Sequence, residues 1–338
     1  MSDREQRRFD GLLAIDKPIG VTSHDVVLEV RRRLHSPGAG HLGTLDPGAS
    51  GLLVVAMGAA TRAIPVWQGG EKTYEGRVRF GLVTSTQDLA GEIVEQHSCE
   101  TLTAEAVSRE SGRFVGDLDQ VPPMVSALKV GGERLHRLAR RGITVERVAR
   151  RIRVRSWEWQ EWALPEASFR VCCSGGTYVR TLAHDLGAVL GCGATLVALR
   201  RTRSEPFDLG HSVTLADLER LAIAEVLGRG GIPLDQALEV LPRVVLDERA
   251  AHEVGVGGRP QVEPAGAAIG AGPRSVVLCD TAGRALALGE LCQSEDGGIR
   301  ACPHVVFPWA VRSGGRGSGP ETPGREIPSG VIVAAPDA

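Results

Sequence analysis

Tyrosine is almost missing from this chain: among 338 residues only Tyr74 and Tyr178 are tyrosines, and aromatic residues make up 4%. Neither charge is in large excess. The formal net charge is −2, so bulk charge points to no polyanionic partner. No apolar run reaches the ~20 residues that cross a bilayer. The first ten residues are charged and lack an apolar core, so no signal peptide and no membrane partner are expected. Cysteine is present seven times, an odd count, but never in a Cys-x-x-Cys or Cys/His spacing that suits zinc. Reduced thiols in a cytoplasmic protein are expected, with no metal site. No internal repeat is visible. Hydrophobic residues at 42% and charged residues at 24% are ordinary for a globular protein, and the length allows two domains.

What is present begins with one acid. Asp46 lies in Gly40-His41-Leu42-Gly43-Thr44-Leu45-Asp46-Pro47-Gly48-Ala49-Ser50-Gly51, followed at once by the apolar run Leu52-Leu53-Val54-Val55-Ala56. Glycines let a backbone approach a ligand or take positive φ. Pro47 disfavours helical geometry at Asp46. The apolar run predicts a buried strand that anchors the loop. The result is a stiff platform for one carboxylate, which by itself suits a turn, a metal ligand or a phosphate loop. No Lys-Ser or Lys-Thr closes this loop, which argues against a P-loop.

Charge is unevenly spread. From Lys129 to Arg155 there are ten Lys/Arg against Glu133 and Glu146, a local +8, which leaves about −10 elsewhere. Such a stripe fits a nucleic-acid contact face or a solvated helix. Leu12–Ile15 predicts a strand and Thr22-Ser23 a helix cap, with Val26, Val27, Val30 and Leu34 at helical spacing. Lys72–Phe80 alternates, with Tyr74, Val78 and Phe80 on one face and Glu75, Arg77 and Arg79 on the other. Residues 101–114 predict a helix, and Pro122-Pro123 ends the pattern. Leu135, Leu138 and Ala139 mark a short helix in a projecting arm. Ile152–Trp162 and Ala167–Cys173 predict strands, with Trp157, Trp159 and Trp162 as sheet packing rather than base-stacking groups. Ser174–Thr177 predicts a turn that caps a helix over about 178–190. Thr195–Arg203 reads only as short and then basic. Helical stretches are expected near 214–228 and 233–240. After Pro242, short apolar runs at 244–246, 275–278, 285–288 and 305–307 predict a small β domain, and the Gly/Ser/Pro-rich end from 311 predicts a disordered tail.

Six segments in order resemble the TruB-type tRNA pseudouridine-55 synthases: Asp16-Lys17-Pro18; Gly40-His41 through Asp46-Pro47 to Gly51; Lys72-Thr73-Tyr74; Val121 to Lys129; Gly176-Thr177-Tyr178-Val179-Arg180; and Leu199-Arg200-Arg201. They span roughly residues 10 to 215. The resemblance implies an α+β fold: a mixed, mainly antiparallel sheet with flanking helices over 1–240, a thumb at about 122–150, a PUA-like RNA-binding domain over 241–310, and a tail from 311 to 338. It implies isomerisation of a T-loop uridine of tRNA, extruded from its stack, without cofactor or metal. Asp46 matches the catalytic nucleophile, attacking C6 of the base or C1′ of the ribose. Arg180 matches its ionic partner. As a cation in the first turn of a helix it needs a compensating contact, unless it is simply exposed. Tyr74 matches the base-stacking aromatic, although it also fits the apolar face of its strand. Tyr178 and Leu199 match pocket residues. Both tyrosines of the chain therefore fall in matched motifs.

His41 matches a residue that fills the space left by flipped bases, or is structural. Lys17 supports the loop or meets a phosphate. Lys129 begins the thumb expected to clamp the T-stem by backbone and shape. Val125 and Gly175 depart from the pattern, where an aromatic and a lysine are common. The expected partner is tRNA through its T-stem-loop, with the protein a stand-alone monomer. Two rivals remain: a guide-RNA-dependent relative, disfavoured by the short N-terminus and the lack of a Lys-rich tail, and an RNA chaperone using the same grip.

Overall fold

The computed structural model describes residues 9–262, 275–294, 297–312 and 332–333. The predicted alternation is realised. Strands Gly11–Lys17, Ala49–Met57, Lys72–Phe80, Gly116–Gln120, Arg150–Ala163, Glu166–Cys173 and Ala194–Ser204 form the body of one eleven-stranded, mainly antiparallel sheet. Ala194–Ser204 lies between Ala49–Met57, which it pairs in parallel (Leu199 opposite Ala49), and Lys72–Phe80, which it pairs antiparallel (Leu199 opposite Gly76). The stretch expected only to be short and basic is thus a central strand. Its arginines hid it, because two of them are engaged within the fold: Arg200, half-exposed, pairs with Asp16, and buried Arg201 bonds backbone carbonyls.

Both faces of the sheet are covered. Leu13, Ile15, Leu53, Val55 and Met57 pack with Val26, Val27 and Val30 of helix Ser23–Arg33 and with Leu182 and Leu186 of helix Val179–Val189. The alternate residues Leu12, Ala14, Leu52, Val54 and Ala56 meet Trp67, Leu234 and Leu238. They also meet Val277, Cys279, Leu288 and Phe307 of the C-terminal part. That part is a five-stranded sheet with helix Glu248–Gly255, which the sequence pattern did not announce. The shared apolar layer makes the small β domain part of the wall behind the eleven-stranded sheet. Of the tail expected from 311, residues 313–331 and 334–338 lie outside the described residues, and Ile332–Val333 pair with Arg243–Val245.

Smaller expectations shift by a turn or split. The helix expected over 101–114 runs Ala104–Ser111 with Thr103 as its cap, then a single 3-10 turn. The stretch 214–228 divides into Leu215–Arg220 and Ile223–Gly230, broken at extended Leu221 and Ala222. Trp157 and Trp159 pack against Phe169, and Trp159 also against Phe80, so the tryptophans serve the sheet.

Gly51 explains how the Asp46 loop joins its strand. Its φ is +99°, and a Cβ there would sit 2.2 Å from the carbonyl oxygen of Arg201. Glycine is required both for the left-handed backbone and for the close approach of the parallel strand. Gly51→Ala should lower stability by about 2 kcal/mol or more. A urea midpoint unchanged from wild type would contradict this account.

Candidate active site

The Asp46 loop is rigid because nearly every backbone group near it is tied. The Ser23 hydroxyl both donates to the Leu45 carbonyl (2.9 Å) and accepts from the Leu45 amide (2.8 Å). The Gly20 amide donates to the Pro47 carbonyl, and the Ala49 amide to the Asp46 carbonyl. Arg201, 2% exposed, reaches beneath the loop. Its Nε donates to the Leu52 carbonyl (2.7 Å) and its Nη2 to the Gly43 carbonyl (3.0 Å), so one guanidinium clamps both sides of Asp46.

Asp46 points into an open cleft of about 570 Å³, lined also by Tyr74, Tyr178, Arg180 and Leu199. Its side chain is 41% exposed, and Nη2 of Arg180 stands 3.5 Å from its Oδ2. Arg180, only 3% exposed, is the second residue of helix Val179–Val189, as expected for a cation that needs a partner at a helix start. It has two. Its Nη1 lies 3.4 Å from Oδ2 of Asp88, a residue that no sequence pattern singles out. Asp88 sits in the tip of the hairpin Leu82–Gln96, where Thr86 donates to its Oδ1. Nη2 of Arg180 also donates to the Val125 carbonyl, so the root of the arm is fastened to the same guanidinium. A backbone oxygen does this, which makes the missing aromatic at 125 immaterial to that contact.

Burial pushes the Asp46 carboxyl above the ordinary carboxylate range; Arg180 pulls it back down, while Asp88 adds to the upward push. Tyr74 is 7% exposed, its hydroxyl pKa raised by burial and opposed by the charge of Arg201. Tyr178 also has a raised pKa from burial, opposed by its hydrogen bond with Ser126. The expected cap from Ser174–Thr177 does not form. Tyr178 occupies the cap position without a side-chain bond, and Gln120 clasps it instead. Gln120 Oε1 accepts from the Tyr178 amide (2.8 Å), and its Nε2 donates to the Tyr178 carbonyl (3.0 Å). The cap is tertiary, supplied from strand Gly116–Gln120, and local sequence cannot show it.

Five of the candidate residues therefore meet in one cleft: Asp46, Tyr74, Tyr178, Arg180 and Leu199. His41 and Lys129 lie in a neighbouring cleft with His24, Arg134 and Arg137. His41 ends the short strand Ala39–His41, and burial lowers its pKa, with Arg201 adding to that effect. Lys17 lines neither cleft. It is fully buried, and its Nζ donates to the Pro18 and Val21 carbonyls at 2.9 Å, so of its two expected roles the geometry fits loop support, not phosphate contact. Gly175 is also explained, since a Cβ there would lie 2.4 Å from the Gln68 carbonyl oxygen.

The basic stripe splits in two. Arg151, Arg153 and Arg155 are ion-paired with Asp119, Asp117 and Glu71. Lys129, Arg134, Arg137 and Arg140 form no ion pair among the described residues, and all four lie on the arm. Among the described residues no cluster of His, Cys, Asp or Glu is placed to hold a metal ion, and no helix is long and apolar enough to cross a membrane.

Comparison with known proteins identifies the family. Residues 31–179 match the family model described as TruB family pseudouridylate synthase (N terminal domain). Residues 180–239 match the tRNA pseudouridylate synthase B C-terminal domain. A tRNA pseudouridine synthase B of Symbiobacterium thermophilum is 47% identical over 257 residues, covering 75% of this chain and 84% of that protein. One of Geobacter sulfurreducens is 44% identical over 276 residues, covering 80% and 91%. Among solved structures, one titled "Structure of H/ACA RNP bound to a substrate RNA containing 2'-deoxyuridine" matches with TM-score 0.66 and 26% identity, over 88% of this chain and 84% of that one.

Proposed function

Since the chain belongs to the TruB family of tRNA pseudouridine synthases, we propose that it isomerises the T-loop uridine at position 55 of tRNA, with Asp46 as the covalent nucleophile on an extruded nucleotide. The observation that carries this is the Asp46 carboxylate held 3.5 Å from buried Arg180 at the floor of a cleft flanked by two tyrosines. The ionised carboxylate bonds to the nucleotide, at C6 of the base or C1′ of the ribose. The N1–C1′ bond breaks, the base turns, a C5–C1′ bond forms, and the bond to Asp46 breaks, which frees the carboxylate. The C5 hydrogen leaves to water as N1 takes one up, so no oxidant or cofactor enters the balance. Tyr74 stacks on the extruded base, a contact worth roughly 1–3 kcal/mol. Leu199 and Tyr178 close the pocket around it.

The same proposal divides the chain into a catalytic region to residue 240, an arm at about 122–150 that clamps the T-stem, and a small β domain over 241–310 that adds RNA contact. Identity of 47% to a tRNA enzyme, against 26% to an RNP subunit, favours a protein that acts alone on tRNA. Tritium released from a T-stem-loop RNA labelled at uridine C5 tests the reaction, and a wild-type protein that releases none sinks it.

The divided stripe makes a sharper prediction. Alanine at Lys129, Arg134 or Arg137 should flatten the dependence of log affinity on log salt by roughly 0.7–0.9 for each phosphate no longer neutralised. Arg153→Ala should not, because Asp117 already neutralises that guanidinium. Equal slopes across all four variants would remove the arm as a phosphate clamp.

A further inference from the structure

Three buried cations around the cleft form no close ion pair among the described residues. Lys17, Lys72 and Arg201 are 0%, 5% and 2% exposed; the two lysines donate to backbone carbonyls, and Arg201 donates to backbone carbonyls and the Tyr74 hydroxyl. Carbonyl dipoles solvate a charge but do not neutralise it, and an uncompensated buried charge is costly. Together with Arg180 there are four cations against Asp46 and Asp88. The site is short of negative charge.

Lys72 is the cation placed to accept it. Lys17 does not line the cleft, and the guanidinium of Arg201 is spent on the Gly43, Thr44 and Leu52 carbonyls. An ammonium has three donors. Lys72 gives one to the Gly70 carbonyl (2.8 Å) and one to the Gln68 carbonyl (3.1 Å), which leaves a third. Gly175 passes beside it without a side chain; a Cβ there would lie 3.1 Å from Nζ. Lys72 and Tyr74 stand two residues apart on one face of their strand, about 6.6 Å along it. One ribose separates a base from its phosphate, so a base on Tyr74 brings its backbone over Lys72.

We propose that Lys72 binds a phosphodiester of the RNA, one of the two that flank the uridine entering the cleft, a placement that rests on the function proposed above. Burial, reinforced by the charge of Arg201, lowers the Lys72 pKa to about 8, as for an ammonium whose counter-charge arrives with its ligand.

The test is a double exchange. Each flanking linkage of the T-stem-loop is replaced in turn by a neutral methylphosphonate, and binding and single-turnover rate are measured with wild type, Lys72→Met and Lys72→Arg. At the contacted linkage the neutral RNA should lose roughly ten- to hundredfold in affinity or rate with wild type. Lys72→Met should lose a similar factor on native RNA and then be indifferent to the methylphosphonate. Lys72→Arg should keep both the affinity and the sensitivity. Methionine removes a buried charge at similar volume and is expected to fold; Lys72→Gln replaces it otherwise. If methylphosphonate costs the Met variant as much as wild type at both linkages, Lys72 binds no phosphate there. Failure of the wild type on all-phosphate RNA is a different result, which would overturn the reaction itself.

Discussion

Asp46→Asn is expected to abolish tritium release from the C5-labelled stem-loop, a loss of roughly 10⁴-fold or more, the scale on which removing a nucleophile acts. That is at least ~5 kcal/mol of transition-state stabilisation. RNA affinity should persist, because the clamp and Tyr74 are untouched and Asn preserves shape. Stability should not fall. The folded pKa of Asp46 is raised above its unfolded value, so the folded state binds its proton more tightly. Such a carboxyl contributes most below the unfolded pKa, near 3.8, and that contribution is lost as pH rises through the folded pKa. At pH 7 burial disfavours the Asp46 charge more than the neighbouring cations favour it, and asparagine is free of that desolvation cost. Thermal unfolding should show the variant at least as stable at pH 7, with the difference closing toward pH 4. Residual release near the wild-type rate would exclude Asp46 as the nucleophile.

Arg180→Met carries the second large effect, and here stability and chemistry change together. Two carboxylates, Asp46 and Asp88, and the Val125 carbonyl converge on one buried guanidinium. Removing it leaves two part-exposed like charges near each other, a loss below the about 3–5 kcal/mol typical of a fully buried pair. It also deletes the larger of the two charges that lower the Asp46 pKa, leaving Lys17, so the carboxyl moves further up. A nucleophilic carboxylate must be ionised, so activity is lost as pH falls through its pKa. The acid limb of the single-turnover rate should therefore shift to higher pH in the variant. Arg180→Lys should recover part of both the stability and the limb. An acid limb unmoved in Arg180→Met would mean that Arg180 does not set the ionisation of Asp46.

Much of the site is legible in the chain because its signals are local. A proline beside an acid, glycines around it and an apolar run after it require only neighbours. The period-two pattern of Lys72–Phe80 places Tyr74 correctly on the buried face. Arg180 could be read as a cation out of place at a helix start, which asks for a partner.

Other features are silent for a physical reason. Asp88 lies in a hairpin of ordinary polar residues and gains its meaning only when Arg180 arrives from 92 positions away. Gln120 replaces an expected local cap because strand Gly116–Gln120 ends beside Tyr178. Arg201 reads as one more base in a basic run, yet it is buried at the centre of the sheet. Three of the ten cations in the apparent basic stripe, Arg151, Arg153 and Arg155, are paired with acids from other segments, which a running count of charge cannot see.

The sequence by itself determined the stiff acid loop, the alternating strands, the helix that presents Arg180 and the family resemblance, because each depends on residues a few positions apart. Only the tertiary structure decided which cations are free and which are spent, which face of the fully apolar strands meets the small β domain, and that Arg180 serves two carboxylates. Those outcomes depend on pairing between distant segments, and charge and burial acquire their value only once that pairing is made.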